Sequence, residues 1–195
     1  MRSLGTRSFR PLALALALTV GLAGAALAAP VHYQVTLDGP SESPANASPG
    51  LGVAAVDVDL AAHTLYIHVI FSGLTGTTTA CHIHAPTAVA LTGTASVATT
   101  TPFFAGFPIG VTAGDFTITL DQTLTTSYNA PFITGNGGTT ASAEAAMASY
   151  IAQGRAYLNI HSSTFGGGEI RGFIVPGQPT PTVPTSWGRI KTLYR

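Results

Sequence analysis

Three histidines of the sequence are spaced as metal ligands could be. His82 and His84 lie one residue apart in a short predicted strand, 80–84. Residues i and i+2 of a strand share one face, about 6 to 7 Å apart, so the two imidazoles lie side by side. His161 lies opposite the apolar positions of another predicted strand, 155–161, and also projects from its non-core face. The three rings can converge if the two strands are neighbours.

Neutral imidazole nitrogen is a good ligand for Cu(II) and Zn(II), and affinity rises toward copper among the first-row metals. The pattern therefore favours a copper-type site, with zinc as the alternative. His68 faces outward from the strand before His82 and is the candidate fourth ligand. The competing interpretation is that the histidines only hydrogen-bond to loop carbonyls and orient the strand ends. That interpretation is preferred for His32 and His63, which lie on an exposed strand face and in a turn.

Three further polar residues could support such a site. Glu169 and Arg171 share a strand face and can pair with each other or with neighbouring strands. Their alternative is an exposed pair that contributes little to stability. Asn159 lies on the same face as His161. Since ligating imidazoles usually donate their second N–H, these three residues are candidate hydrogen-bonding partners of the histidines.

No catalytic residue is predicted. The sequence contains no Gly-x-Ser-x-Gly elbow, no phosphate-binding loop and no His-Glu-x-x-His motif, and nothing in it indicates an organic cofactor. Its single cysteine, Cys81, cannot form an internal disulfide, and alternation directs its thiol into the core, away from His82.

Composition limits the class of protein. The 195 residues include 8 Lys plus Arg and 8 Asp plus Glu, while 46% are hydrophobic. So few charges disfavour a charged helical bundle, a coiled coil or a nucleic-acid surface. The length suits one ordinary domain.

The N-terminus has the pattern of a secretory signal peptide. Arg2, Arg7 and Arg10 precede an uncharged apolar run at 12–27, and Ala26-Leu27-Ala28 forms a small-x-small cleavage site. We expect residues 1–28 to be removed and no transmembrane helix to remain, because the apolar run is short for a membrane span. The mature protein is then secreted, periplasmic or at the cell surface.

Alternating apolar residues predict short strands through the rest of the chain, at the following segments: 31–37, 56–60, 65–71, 80–84, 116–120, 155–161 and 169–175. One helix is predicted at about 141–152, with Thr140 or Ser142 as its N-cap. The spacing favours a mainly β fold, an antiparallel β-sandwich or flattened barrel with one short crossover helix, over residues 29–175. The register of the segment 94–138 is not predicted.

Beyond the domain, residues 176–186 form a Pro/Thr-rich linker, and 187–195 form a basic amphipathic tail. The tail is a frayed terminus, an export or surface-attachment tag, or a contact to an anionic surface.

Four motifs together resemble the chordin-type (CHRD) domain over roughly 31–175. They are Phe71-Ser72-Gly73-Leu74, Ala80-Cys81-His82-Ile83-His84-Ala85-Pro86, Tyr157-Leu158-Asn159-Ile160-His161 and Gly168-Glu169-Ile170-Arg171-Gly172. The departure is Ala85, where the family usually has Gly. The resemblance implies a secreted β-sandwich module. In animal chordin such modules belong to an antagonist of growth factors, which implies an extracellular or cell-surface protein partner as one role.

The order of Gly73-Leu74-Thr75, His82, His84 and His161 is also similar to copper/zinc superoxide dismutase. That resemblance suggests a copper-like site on a sandwich. The chain lacks that family's bridging histidine and zinc ligands, so efficient dismutation is not expected.

The sequence thus favours an exported, non-enzymatic module that binds a metal, with copper preferred, through His82, His84 and His161. Two alternatives stay open: a metal-free structural, adhesion or protein-binding module, and, ranked third, a redox enzyme with an open copper position.

Overall fold

The computed structural model of the protein describes residues 29–177. The predicted signal peptide, residues 178–186 of the predicted linker and the predicted basic tail lie outside the described residues. The strands are β1 (Val31–Asp38), β2 (Leu51–Asp59), β3 (Thr64–Ser72), β4 (Thr78–His84), β5 (Gly114–Asp121), β6 (Tyr157–Ser162), β7 (Ile170–Phe173) and β8 (Val175–Pro176).

The eight strands form one antiparallel sheet that curls strongly into a half-barrel. Its order is β4-β6-β7-β1-β2-β3-β5, and β8 pairs with β1. The prediction of a mainly β, antiparallel fold is confirmed. The pairing of β4 with β6 matters most for function, because these two strands carry the histidines.

Strict alternation explains why β1, β2 and β3 form a meander. Inward residues such as Val35, Val56 and Ile67 are buried, while the residues between them are exposed or half-buried. The pairings Tyr33↔Val56 and Val56↔Ile67 place apolar residues on the same face of neighbouring strands. A shift of one residue would turn the buried apolar face of a strand to solvent, so this pattern fixes the register.

Two helices cover part of the core: α1 (Ala130–Gly135) and α2 (Thr140–Ala152). The predicted helix at about 141–152 is confirmed as α2, which buries Met147 and Ile151. Its N-cap is Thr139, not Thr140 or Ser142. Ser142 is the third helical residue and completes a capping box with Thr139. The short helix α1 lies in the segment whose structure the sequence did not predict.

The segment after β4 covers the edge of the sheet. Cys81 and His84 form isolated bridges with Phe103 and Val97, and the Ile83 carbonyl accepts from the Ala98 backbone N–H. Residues 95–104 therefore pack along the otherwise free edge of β4. For this reason His82 and His84 are buried, contrary to the expectation that they lie on an open outer face.

The end of the domain differs slightly from the predicted final strand at 169–175. The pairing is divided between β7 and β8, with the buried Ile174 between them. Pro176 pairs with Tyr33, and the Gly177 N–H donates to the His32 carbonyl. Strand β8 thus ends one residue past the predicted domain boundary at 175, and Gly177 adds one backbone hydrogen bond to β1. Within 29–177, no helix combines the length and apolar character needed to cross a membrane.

Candidate metal centre

The structure brings the rings of His82, His84 and His161 together. In the β4–β6 pair, His82 lies opposite Asn159 and Ala80 lies opposite His161, so His161 is diagonal to His82 on the shared face. The ring centroids are 4.7 Å apart for His82 and His84, 4.8 Å for His82 and His161, and 6.1 Å for His84 and His161. The predicted convergence of the three imidazoles is confirmed.

Backbone carbonyls fix the tautomer of each ring. His82 Nδ1 donates to the Pro102 carbonyl at 2.9 Å, and His84 Nδ1 donates to the Ala95 carbonyl at 2.8 Å. His161 Nδ1 donates to the Gly166 carbonyl at 2.9 Å. A carbonyl only accepts, so the hydrogen of each neutral ring lies on Nδ1 and its Nε2 presents a lone pair.

The three Nε2 lone pairs face one region. His82 Nε2 and His161 Nε2 are 3.0 Å apart, and His84 Nε2 is buried without a hydrogen-bond partner. The ligand atoms of the three histidines all lie within 4.8 Å of one another. Metal–nitrogen bonds of about 2.0 Å allow nitrogens to lie up to about 4 Å apart, so small side-chain rotations suffice for coordination.

The site also favours the neutral form of its histidines. Burial lowers the pKa of His82 to about 4, with a further contribution from the charge of protonated His84. Burial likewise lowers the pKa of His84 to about 4 and that of His161 below its ordinary value. The carbonyl hydrogen bonds oppose these shifts without cancelling them. His82 and His84 therefore retain their lone pairs in mildly acidic solution, as metal ligands require, and the downward shift of the His161 pKa acts in the same direction.

His68 does not join the cluster, contrary to its expected role as a fourth ligand. It lies on β3, and the sheet order separates β3 from β4. Its Nε2 bonds to Asp115 Oδ1 at 2.8 Å. The sequence showed that His68 faces outward, but not that this face lies on a distant part of the sheet.

His32 and His63 also lie away from the cluster. They contact Asp57 and Glu144, at 2.7 Å and 2.9 Å. Neither histidine is near the cluster, as the structural interpretation predicts, but their partners are carboxylates and not loop carbonyls.

Glu169 does not donate to or accept from any of the three rings. It is 0% exposed, whereas the alternative considered from the sequence was an exposed pair. Its carboxylate accepts from Ser48 Oγ at 2.6 Å and from the backbone N–H groups of Thr75 and Gly76. Burial by itself raises the pKa of Glu169. Hydrogen bonds from Ser162, Ser48 and these amides lower it by more than burial raises it, so the net shift is downward. Glu169 therefore connects two loops to the sheet.

Arg171 and Asn159 are buried near the histidines but make no hydrogen bond to their rings. Arg171 is 4% exposed and donates to the carbonyls of Ser41 and Gly93, and its Nε lies 3.8 Å from Glu42 Oε2. Of the two pairings that the sequence left open, with Glu169 or with another part of the sheet, Arg171 does not make the first: its acidic neighbour is Glu42, in the loop after β1. Asn159 is buried opposite His82, and its Oδ1 has no hydrogen-bond partner. The rings donate instead to carbonyls, two of them in the segment 94–138.

Tyr157 is a site residue that the sequence interpretation missed. Its ring stacks on His84 with centroids 4.7 Å apart and planes at 7°. Its hydroxyl lies 3.4 Å from the Ala95 carbonyl, the same oxygen that accepts from His84. The signal was available, because Tyr157 shares the strand face of Asn159 and His161 at spacings of two and four.

Comparison with known proteins identifies one match. The family described as the CHRD domain matches residues 33–174. No curated protein and no solved structure matches the chain.

Proposed function

The chain belongs to the CHRD domain family, and we propose that it is an exported, non-enzymatic module that binds one transition-metal ion, copper in preference to zinc, through Nε2 of His82, His84 and His161. One observation carries the proposal. Three imidazoles with carbonyl-fixed tautomers, two of them buried and that of His161 half-buried, direct their lone pairs at one region, and two of these nitrogens are only 3.0 Å apart.

Electrostatics supports a cation between these nitrogens. Both rings are neutral and carry their hydrogen on Nδ1. His82 Nε2 and His161 Nε2 are therefore both acceptors, and neither can donate a hydrogen bond to the other. His84 Nε2 is buried without a partner, which costs about 1 to 3 kcal/mol for an ordinary polar group. A metal ion satisfies all three nitrogens at once, whereas a proton can satisfy only one pair.

The donor set supports the choice of metal. Three neutral imidazoles suit copper and zinc, and copper binds most tightly in the first-row series. Zinc also accepts three histidines, with water at its fourth position, so the number of ligands does not exclude zinc and the affinity order decides. Among residues 29–177 the cluster has three His, Cys, Asp or Glu members, all of them histidine. Copper is therefore the preferred occupant.

Export is part of the same proposal. The basic residues, apolar run and small-x-small site of residues 1–28 support cleavage and transfer across a membrane. Residues 29–175 then form the mature domain. The linker follows, with Pro176 and Gly177 still in contact with β1, and the basic tail comes last.

Titration of the purified mature protein tests metal binding. Cu(II) and Zn(II) are added separately to chelator-treated protein, and binding is followed by calorimetry and by the visible absorption of copper. We expect one ion per chain and tighter binding of copper. The H82A/H161A double variant should lose that ion, while the matched control H68A should keep it because His68 bonds to Asp115 elsewhere.

The alternative, a metal-free structural module, predicts a different outcome. Binding that is absent, or equal in H82A/H161A and H68A, would remove the proposal. The histidines would then serve only to connect β4 and β6 to the loops through their Nδ1 hydrogen bonds.

A further inference from the structure

We propose that the three-histidine site prefers Cu(I) to Cu(II), because the buried guanidinium of Arg171 lies one aromatic ring behind His84. This inference rests on the proposed function. It concerns the oxidation state that the site selects, not whether copper binds.

The arrangement is a stack of three groups. The three groups are His84, Tyr157 and Arg171, with Tyr157 in the middle. The Tyr157 and His84 rings have centroids 4.7 Å apart. Arg171 Cζ lies 4.7 Å from the centroid of the same Tyr157 ring. Arg171 is 4% exposed, so water screens its charge little. A fixed positive charge therefore lies close to any ion that His84 binds.

The charges around the site favour the ion of lower charge. The ligands are neutral histidines, so bound Cu(II) keeps a charge of +2 and bound Cu(I) a charge of +1. Both desolvation and repulsion by Arg171 penalise the divalent ion more. The carboxylate of Glu42, 3.8 Å from Arg171 Nε, offsets part of the guanidinium charge. Burial raises the pKa of Glu42 to about 7, although the charge of Arg171 opposes the shift, so this offset is incomplete near neutrality.

Coordination number points the same way. Cu(II) prefers square-planar or tetragonal surroundings with at least four ligands. In the part of the chain that the structure describes, only three ligating side chains converge. Cys81, adjacent in sequence, is fully buried at its own position on β4 and is not a member of the cluster. Cu(I) has a filled d shell, imposes no tetragonal geometry and accepts three nitrogens.

The test measures the reduction potential of copper bound to the mature protein, at pH 8, in a redox titration with a small-molecule mediator. One electron passes from the reduced mediator to bound Cu(II) and gives Cu(I), while the three imidazoles stay neutral and no proton moves. We expect the potential to lie above that of aqueous copper in the same buffer, which means that Cu(I) binds more tightly.

Two variants should shift the potential in opposite directions. R171Q removes the positive charge and should reduce the preference for Cu(I) about tenfold, as expected for a unit charge at about 10 Å in an effective dielectric of about 20. That factor corresponds to about 59 mV for one electron. E42Q removes the offsetting negative charge and should raise the preference by a similar factor. R155Q is the matched control, since Arg155 lies over Tyr150, 5.3 Å from its centroid, outside the stack that contacts His84.

Three results would overturn the inference: a potential at or below that of aqueous copper, shifts of the same sign in R171Q and E42Q, or an R155Q shift as large as that of R171Q. If R171Q does not fold, the sign of the E42Q shift decides. Loss of copper binding in the histidine variants is a separate measurement, so the proposed function can hold while this inference fails.

Discussion

Acidification should destabilise the metal-free protein through its buried histidines. His82 and His84 are 6% and 9% exposed, and burial lowers the pKa of each to about 4. In the unfolded chain a histidine titrates near 6.5. The unfolded state therefore binds more protons between these values, and the free energy of unfolding falls as the pH falls.

The structure gives a magnitude for this effect. One unit of pKa difference corresponds to 1.36 kcal/mol, so a shift from 6.5 to about 4 makes one histidine worth about 3 kcal/mol. This contribution is fully present above pH 6.5 and lost below pH 4, and about 2.5 kcal/mol of it has gone at pH 4.5. Total domain stabilities are about 5 to 15 kcal/mol, so the loss is large enough to measure.

Glu42 must be removed from the comparison. Its pKa is raised to about 7, so the folded state binds the extra proton and stability from this group increases as the pH falls toward 4.5. The parent protein for the experiment is therefore E42Q. Free energies of unfolding are measured by urea denaturation between pH 7.5 and 4.5 in the presence of a chelator, for E42Q and for E42Q/H84Q.

We expect the free-energy difference between these two proteins to shrink by about 2.5 kcal/mol from pH 7.5 to 4.5. A matched E42Q/H32Q variant changes a histidine that contacts Asp57 at the surface and controls for removing an imidazole as such. Parallel pH profiles for E42Q and E42Q/H84Q would refute the argument, because they would mean that His84 does not resist protonation in the folded state.

Three further predictions concern metal and packing. Copper at about 100 times its Kd should raise the free energy of unfolding by about 2.7 kcal/mol at pH 7.5, an effect that H82A/H161A should lack in the same urea assay. G172A should abolish folding, judged by circular dichroism, because a Cβ there would overlap the Thr36 carbonyl, whereas G167A should fold since a Cβ there meets nothing within 4 Å. E169Q should lower the melting temperature and reduce the free energy of unfolding by about 1 to 3 kcal/mol. Both carboxylate oxygens of Glu169 accept hydrogen bonds, from Ser48 and Gly76, whereas the glutamine amide has only one accepting oxygen. An unchanged melting temperature would show that these donors find other partners.

The sequence predicted the elements whose side chains alternate over several residues. In β1 and β3 buried apolar residues recur at every second position, and the structure confirms the strands predicted at 31–37 and 65–71. The strand predicted at 56–60 is part of β2, which begins earlier, at Leu51, and ends at Asp59, so Leu60 lies outside it and is exposed. Helix α2 was predictable for a similar reason, because its apolar spacing is a local signal, although its N-cap is Thr139 and not the predicted Thr140 or Ser142. The same local rule places His82 and His84 on one strand face.

Within 94–138 the strand predicted at 116–120 is confirmed as β5, but the rest of the segment could not be predicted because its structure depends on distant partners. Its pairings with β4 are isolated bridges, at Cys81↔Phe103 and His84↔Val97. Isolated bridges leave no periodic pattern in the sequence. The carbonyls of Ala95 and Pro102, which fix two histidine tautomers, are backbone groups and have no residue signature.

Burial of the two charged residues of β7 and its preceding loop, Arg171 and Glu169, was likewise decided by tertiary structure. The sequence shows that Glu169 and Arg171 share a strand face, but not that loops cover that face. Backbone amides and Ser48 surround Glu169, while Arg171 lies against Glu42 and Tyr157. Each charge is thus buried with partners from other parts of the chain.

The sequence by itself determined which residues are chemically able to bind a metal and which strand face each one occupies, because side-chain direction follows from the local period of a strand. Only the tertiary structure decided that they meet. His82 and His161 are 79 residues apart, and their contact depends on β4 pairing with β6 in one register. The same tertiary structure placed His68 on a distant strand, although its local pattern was equally favourable. Strand pairing is set by the packing of the whole core, and no local segment of the chain encodes it alone.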